Sequence, residues 1–126
     1  MAAITITDAG RNLLRDSLKG ATNPLIKYVA FGSSSTAPTT GDIKLGSEIY
    51  RKAITSYTNG ATGEVFINLY LAPSDLAGTT VAEIGFFGGS GANVNPNTGV
   101  LLAHGLYSHT KVSTESIQFV LDFTMS

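Results

Sequence analysis

Apolar residues recur at every third or fourth position near the start of the chain, at Ala9, Leu13, Leu14 and Leu18. Residues at this spacing share one face of a helix, so the pattern predicts an amphipathic α-helix. Thr7 or Asp8 can cap its first turn with a side-chain oxygen, and Gly20 can adopt the left-handed conformation that closes its last turn. We therefore expect the helix to end near residue 20.

Beyond the helix, runs rich in β-branched and aromatic residues predict about six β-strands. These runs are Ile26–Phe31, Ile49–Tyr57, Glu64–Leu71, Val81–Phe87, Val100–His104 and Ile117–Phe123. In the third run, Phe66 and Tyr70 lie opposite an aliphatic face, so we expect this strand to be covered on both sides. Asn59-Gly60 precedes that run and predicts a hairpin turn, because both residues tolerate positive φ.

The order of these elements predicts an α+β fold that is predominantly β. One N-terminal helix is expected to pack on a mostly antiparallel sheet or sandwich. The chain has 126 residues and no linker, so residues 1–126 are expected to form a single domain. Two connectors, Gly32–Gly41 and Gly88–Gly99, are longer than tight turns and rich in Ser, Thr, Asn and Gly. Binding residues are often found on such loops.

Composition narrows the classes of protein. Charged residues make up 13% of the chain and apolar residues 43%, which excludes intrinsic disorder and indicates that part of the surface meets another protein. The absence of cysteine excludes a disulfide framework, a thiolate metal site and a cysteine nucleophile. The net charge of −1 argues against nucleic-acid binding, and no apolar run approaches the roughly 20 residues of a membrane-spanning helix.

The helix also carries a basic stripe, because Arg11, Arg15 and Lys19 lie at i, i+4 and i+8. Charge is unevenly divided along the whole chain, with +3 in residues 1–63 and −4 in residues 64–126. One interpretation is that the stripe contacts phosphates or an acidic partner surface, such as the acidic half of a second copy. The other is a solvated helix face whose charges complement the C-terminal end of the helix dipole.

Candidate catalytic chemistry is sparse. His104 and His109 are the only side chains suited to act as a base near neutral pH, and no carboxylate lies beside them in the sequence. No Gly-x-Ser-x-Gly nucleophile motif is present. Gly88-Gly89-Ser90-Gly91 lacks the lysine and the helix of a phosphate-binding loop. We therefore expect no catalytic residue, no cofactor and no metal site.

Three charged residues form a candidate cluster. Glu83 lies in an apolar run, where a buried carboxylate needs a partner. Arg51 can supply it, since a guanidinium can hold two carboxylates through charge-assisted hydrogen bonds, and Glu48 lies three residues before it. We expect Glu48, Arg51 and Glu83 to form a structural ion-pair cluster. The catalytic alternative, with Glu48 and Glu83 as paired acids, lacks any sign of a substrate cleft.

Short motifs follow one another along the chain in a recognisable order. They are Ile6-Thr7-Asp8-Ala9-Gly10, Val29-Ala30-Phe31-Gly32, Leu45-Gly46-Ser47-Glu48-Ile49-Tyr50-Arg51, Glu83-Ile84-Gly85-Phe86-Phe87 and Gly99-Val100-Leu101-Leu102-Ala103, with Lys111 beyond them. In this order they resemble the tail-collar fibre domain, which lies at the N-terminus of many bacteriophage tail fibres. The resemblance covers the chain from about Ile4 to Phe123. Gly88-Gly89 departs from it, because relatives often have an acidic residue at this point.

The resemblance implies a virion structural protein of the phage tail, which docks a fibre on the tail tip or baseplate by protein–protein assembly and is not an enzyme. Glu48, Arg51, Glu83 and Gly85 match the family's recurrent positions, and we interpret them as fold determinants. Gly85 is expected to mark a strand bulge or a close backbone approach. The implied partners are other tail, baseplate or fibre proteins, in a homo-oligomer that is a trimer or a ring. The implied location is the virion tail, after synthesis in the host cytoplasm.

Other functions remain open at this point. The chain stops at Ser126, where a fibre would continue into its shaft, so it is either a fragment of a fibre protein or a stand-alone docking or adaptor component, and we expect the second. A carbohydrate-binding host-recognition module is the alternative, and it would use the polar loops together with Tyr57, Tyr70 or Tyr107. A hydrolase that uses one of the two histidines is the third possibility.

Overall fold

The structure of the protein, a computed structural model, describes residues 4–20, 25–111 and 115–122. Within them are one helix and eight strands: β1 Ile4–Ile6, α1 Asp8–Leu18, β2 Ile26–Gly32, β3 Glu48–Ala53, β4 Ser56–Asn59, β5 Glu64–Leu71, β6 Thr80–Gly88, β7 Val100–Thr110 and β8 Glu115–Asp122. The strands form two antiparallel sheets, with orders β1-β7-β6-β2-β3 and β4-β5-β8. No helix among the described residues has the length and apolar character needed to cross a membrane.

The predicted fold class is confirmed, whereas the predicted number of strands is too small. β1 has three residues and is too short to give a sequence pattern. The single strand predicted over Ile49–Tyr57 divides into β3 and β4, which belong to different sheets. The strand predicted over Val100–His104 continues to Thr110. Phe123, the end predicted for the last strand, lies outside the described residues.

α1 begins and ends where the sequence predicts. The Thr7 hydroxyl caps it by accepting a hydrogen bond from the Gly10 amide at 3.0 Å, and Gly20 follows it with a φ of 77°. The same hydroxyl donates to the Leu101 carbonyl oxygen, so the cap also fastens the helix to β7. A Cβ atom at Gly10 would lie 2.6 Å from the Leu102 carbonyl oxygen, so only glycine permits this close packing.

The main core lies between the two sheets. The ring of Phe86 on β6 meets the ring of Phe119 on β8 edge to face, with centroids 5.5 Å apart. Ile67 and Leu69 face the same core from β5 and are fully buried. On the opposite face of β5, Tyr70 is 43% exposed, whereas Phe66 is half-buried. The described residues therefore cover that face only in part, where the sequence predicts cover on both sides of the strand.

The predicted hairpin joins β4 to β5, but its turn differs from the prediction. Asn59 pairs with Val65 within the ladder, and the Gly60 amide donates to the Glu64 carbonyl oxygen at 3.2 Å. The positive φ falls on Gly63, at 82°, and neither Asn59 nor Gly60 has one. The chain therefore turns over residues 61–63, two to three residues later than the dipeptide predicts.

Candidate functional site: the loop-covered face of the five-stranded sheet

One row of cross-strand partners defines the face of the five-stranded sheet that points away from the main core. Ala30 pairs with Arg51 on one side and with Gly85 on the other, and Gly85 pairs with His104. Directly opposed residues of an antiparallel sheet point to the same face, so these four share one, which we call the outer face. Glu83, two residues before Gly85, points to the same side.

Loop 33–47, between β2 and β3, covers the middle of the outer face. Its Leu45 side chain packs with Ala30, Phe87 and Leu101 in a small buried cluster. A Cβ atom at Gly85 would lie 2.5 Å from Leu45 Cδ2 and 2.9 Å from Leu101 Cδ1. The close approach expected at Gly85 is therefore made by side chains that fill the space above it, and not by backbone. The register of β6 on β7 shifts just beyond it, between residues 86 and 87.

Arg51 and Glu48 form a bidentate ion pair at one end of the outer face. Nε and Nη2 of Arg51 lie 2.8 and 2.9 Å from the two carboxylate oxygens of Glu48. The side chains are only 2% and 1% exposed, so this pair is buried. The guanidinium also lies 4.3 Å from the centroid of the Phe87 ring, in the arrangement of a cation–π contact.

The same ion pair holds loop 89–99, between β6 and β7. Nη1 of Arg51 donates to the carbonyl oxygens of Asn93 and Thr98 at 3.0 and 3.1 Å. The Asn97 amide donates to Glu48 Oε1 at 3.1 Å, and Asn97 adopts a left-handed conformation with a φ of 63°. A loop without regular secondary structure is thereby tied to β3 by buried charges.

Glu83 holds loop 33–47 against the sheet. Its carboxylate is fully buried and accepts hydrogen bonds from the amides of Ser34, Gly46 and Ser47 at 2.8–3.0 Å. Burial alone would raise the pKa of Glu83, but these three amides and the His104 ring outweigh burial and hold the pKa below its ordinary value. A Cβ atom at Gly32 would lie 2.3 Å from Glu83 Oε2, so glycine leaves the space that the carboxylate occupies.

His104 lies between two carboxylates. Its Nε2 is 2.9 Å from Glu83 Oε1, and its Nδ1 is 2.9 Å from Asp42 Oδ2. The ring is almost fully buried. Asp42 also accepts hydrogen bonds from the amide and hydroxyl of Thr39 at 2.8 Å. Burial would raise the pKa of Asp42, but the Thr39 amide and the His104 ring hold it below its ordinary value.

The structure brings together only part of the predicted charged cluster. Glu48 and Arg51 pair as expected, whereas Glu83 is bonded to loop amides and to His104 instead of Arg51. The guanidinium turns toward loop 89–99 because the carbonyl oxygens there accept its remaining donor. Sequence reasoning missed Asp42 as a partner of His104, since 62 residues separate them and nothing local signals the contact.

These groups offer little for chemistry on a bound molecule. Both ring nitrogens of His104 face carboxylates, and each oxygen of Glu83 accepts two hydrogen bonds. Among residues 4–20, 25–111 and 115–122, no three histidine or carboxylate side chains are arranged to hold a metal ion. Loop 33–47 borders an open cavity of about 320 Å³ beside His104, and Ile43 lies at its rim.

A second polar cluster fixes the turn that follows β5. The Asp75 carboxylate accepts hydrogen bonds from Tyr50 at 2.5 Å and from Lys52. These two bonds lower the pKa of Asp75 to about 2. Lys111 is buried and donates to the carbonyl oxygens of Ala72 and Asp75 at 2.6 and 2.9 Å. The turn is thus held from β3 and from the end of β7.

The basic stripe lies on the surface. Arg11, Arg15 and Lys19 are exposed, with Lys19 at the C-cap of α1. Arg15 bonds to Asp16 at 2.9 Å and to Asn12 at 3.2 Å. The stripe is remote in sequence from the loops of the outer face and forms no part of their polar clusters.

The three candidate tyrosines lie in different environments. The hydroxyl of Tyr57 donates a hydrogen bond to the Ile26 carbonyl oxygen. Tyr107 stacks on His109 and meets Phe119 edge to face, which makes it a packing residue. Tyr70 is exposed on the open face of the three-stranded sheet. Tyr57 and Tyr70 are thus exposed to similar extents, 45% and 43%, but the Tyr57 hydroxyl is bonded to the backbone of β2.

Comparison of the chain with protein-family models, with curated proteins and with solved structures finds no match in any of the three.

Proposed function

We propose that the protein is a structural component of a bacteriophage tail that docks on other tail, baseplate or fibre proteins and catalyses no reaction. The observation that carries this proposal is the pair of loops on the outer face, each tied down by buried polar groups and each exposing a large apolar side chain. Ile43 on loop 33–47 is 70% exposed, and Val94 on loop 89–99 is 73% exposed. Such side chains gain free energy when a partner protein covers them.

The buried hydrogen bonds and ion pairs that hold the two loops lower the entropic cost of docking. A flexible loop loses conformational entropy when it is ordered against a partner, and that loss weakens binding. Loop 89–99 is already held by Arg51 and Glu48, and loop 33–47 by Glu83 and His104. This arrangement suits a protein that works by assembly.

The resemblance to tail-collar fibre domains supports the same function. The four positions that match the family's recurrent residues are Glu48, Arg51, Glu83 and Gly85. Three of them tie loops to the sheet, and the fourth admits Leu45 to the outer face.

The proposal that the protein is not an enzyme is supported by how its polar groups are used. Glu83 and His104, two buried ionisable side chains of the outer face, are hydrogen-bonded to the protein itself. A general base needs a lone pair within reach of its substrate. In the structure, both ring nitrogens of His104 and both carboxylate oxygens of Glu83 already have a protein partner within hydrogen-bond distance.

We further propose that the protein assembles with copies of itself, as a trimer or a ring. Arg11 and Arg15 on the exposed stripe are candidates for a head-to-tail contact with the acidic half of the next copy. Light scattering across a range of concentrations measures the native mass. Arg11→Glu with Arg15→Glu is expected to lower that mass, and an unchanged mass would show that the stripe is a solvated helix face.

Docking is tested by substitutions at the loop tips. Ile43→Asp and Val94→Asp are expected to leave the circular dichroism spectrum unchanged, because both side chains are in solvent. Both should prevent incorporation of the protein into purified tails. Tyr70→Asp on the other sheet is the matched control and should be incorporated normally. Normal incorporation of both loop variants would contradict docking through the outer face.

Saccharide binding is the second candidate, and one observation favours it. On the open face of the three-stranded sheet, Asn68 Nδ2 donates to the hydroxyls of Ser56 and Thr58, and Gln118 Nε2 donates to Asn68 Oδ1. Uncharged amides and hydroxyls beside the Tyr70 ring suit a neutral polyol. A glycan array with the unaltered protein and Tyr70→Ala tests this function. Binding that the substitution abolishes supports it, and the absence of binding contradicts it.

A further inference from the structure

The two carboxylate contacts of His104 can both be hydrogen bonds in only one protonation state of the ring. A neutral imidazole has one N–H donor and one acceptor nitrogen, whereas an imidazolium has two donors. Ionised carboxylates only accept. Nδ1 and Nε2 each lie 2.9 Å from a carboxylate oxygen, on Asp42 and Glu83 respectively. Both contacts are therefore hydrogen bonds only when the ring carries a proton on each nitrogen.

Both carboxylates are ionised at neutral pH. The Thr39 amide and the His104 ring outweigh the effect of burial on Asp42, and loop amides do the same for Glu83, so the pKa of each lies below its ordinary value. Neither carboxyl group therefore carries a proton that it could donate to a neutral ring nitrogen, so the second proton must be on the ring. Among the described residues, the only other charged group that borders the cavity beside His104 is Lys44 on loop 33–47.

The groups around His104 indicate which of its two hydrogen bonds is lost first when the ring loses a proton. β6 contributes Glu83, and β1, which pairs Thr5 with His104, contributes no titratable side chain. Asp8, at the start of α1, donates its backbone amide to the Thr40 carbonyl oxygen. Glu83 has no contact with water, so a neutral ring keeps its N–H on that carboxylate. Nδ1 then presents a lone pair to Asp42, which is partly exposed and can turn to solvent.

We infer that protonation of His104 fastens loop 33–47 to the sheet, and that loss of one ring proton releases the Asp42 end of this loop. The inference rests on the proposed docking function, because Ile43 stands next to Asp42 on the same loop. The docking face is then firmest when the ring is doubly protonated and loosens as the pH rises.

Amide hydrogen exchange of the isolated protein from pH 5 to 9, corrected for intrinsic exchange rates, tests the inference. Protection of residues 39–42 is expected to fall by about tenfold to a hundredfold as the pH rises, the effect of losing one hydrogen bond between charged groups. Loop 89–99, held by Arg51, should show no such change. Ring ¹⁵N spectra should show both His104 nitrogens protonated over the pH range in which the loop is protected.

Two variants and a control separate the outcomes. His104→Gln and, as a milder change on the partly exposed loop, Asp42→Ala should each give low protection that is independent of pH. His109→Gln removes the other histidine of the chain and should keep the pH dependence. Protection that is independent of pH in the unaltered protein, or a singly protonated ring beneath a protected loop, would overturn the inference. Because this test uses the isolated protein, its failure is distinct from failure of the chain to enter phage tails.

Discussion

The guanidinium carbon of Arg51 lies 4.3 Å from the centroid of the Phe87 ring, and this contact joins the two sides of the outer face. Phe87 belongs to the apolar cluster beneath loop 33–47, whereas Arg51 binds the backbone of loop 89–99. The two loops therefore rest on one continuous buried layer, although they are separate in sequence. Changes in this layer should affect both loops.

Arg51→Ala is expected to lower the free energy of unfolding by about 3–5 kcal/mol, because it leaves the buried Glu48 carboxylate without its partner. Urea unfolding measures the change. Arg15→Ala is the matched control, since it breaks an ion pair with Asp16 that is open to solvent. The control should unfold like the unaltered protein. Equal effects of the two substitutions would contradict a structural role for the buried pair.

Gly85→Ala is expected to destabilise the protein by about 1–3 kcal/mol, because its Cβ atom would overlap Leu45 and Leu101. Thermal unfolding detects this loss. Gly91→Ala is the control, since no atom lies within 4 Å of its added Cβ and its stability should change by less than about 0.5 kcal/mol. If Gly85→Ala is as stable as the control, Leu45 does not fill the space above residue 85.

Acid should lower the free energy of unfolding partly because it protonates Asp75. Hydrogen bonds from Lys52 and Tyr50 lower its folded pKa to about 2, whereas the unfolded value is about 3.9. A lowered folded pKa stabilises the protein above the unfolded pKa, and this contribution is lost as the pH falls from about 4 toward 2. Asp75→Asn should therefore be less stable than the unaltered protein at pH 6, by up to about 2 kcal/mol.

The difference between Asp75→Asn and the unaltered protein should vanish near pH 2, as measured by urea unfolding at each pH. A constant difference between Asp75→Asn and the unaltered protein at every pH would show that the carboxylate does not titrate as described.

Lys111→Met should loosen the turn after β5 without unfolding the sheets. The buried ammonium donates to the carbonyl oxygens of Ala72 and Asp75, and methionine fills similar space without a donor. Exchange of the Asp75 and Thr79 amides should become about tenfold faster. Lys44→Met, at an exposed position, should leave these amides unchanged. Unchanged exchange in Lys111→Met would mean that other contacts hold the turn.

The sequence predicts those parts of the fold that depend on local pattern. The helix follows from its apolar spacing, from Thr7 as a cap and from Gly20, and β5 has the bounds that its alternation predicts. The division between β3 and β4 is not predictable in this way, because both halves of Ile49–Tyr57 favour strand. The sheet to which each half belongs is decided by packing against distant strands.

The candidate site could be predicted only where its partners are near in sequence. Glu48 and Arg51 are three residues apart, and their pairing was predicted. Glu83 was predicted to need a partner, but its partners include Gly46 and Ser47, more than 35 residues away, and they bind through backbone amides that no residue type reveals. The glycine that admits its carboxylate, Gly32, gives a signal only once the register of β2 on β6 is known.

The most direct test of the proposed function is quantitative mass spectrometry of phage tails purified from the source that encodes the chain. The proposal predicts that the protein is present in these tails at a fixed number of copies, a multiple of three, relative to the other tail proteins. Its absence from intact, infectious tails would contradict the central claim, whatever the behaviour of the isolated protein.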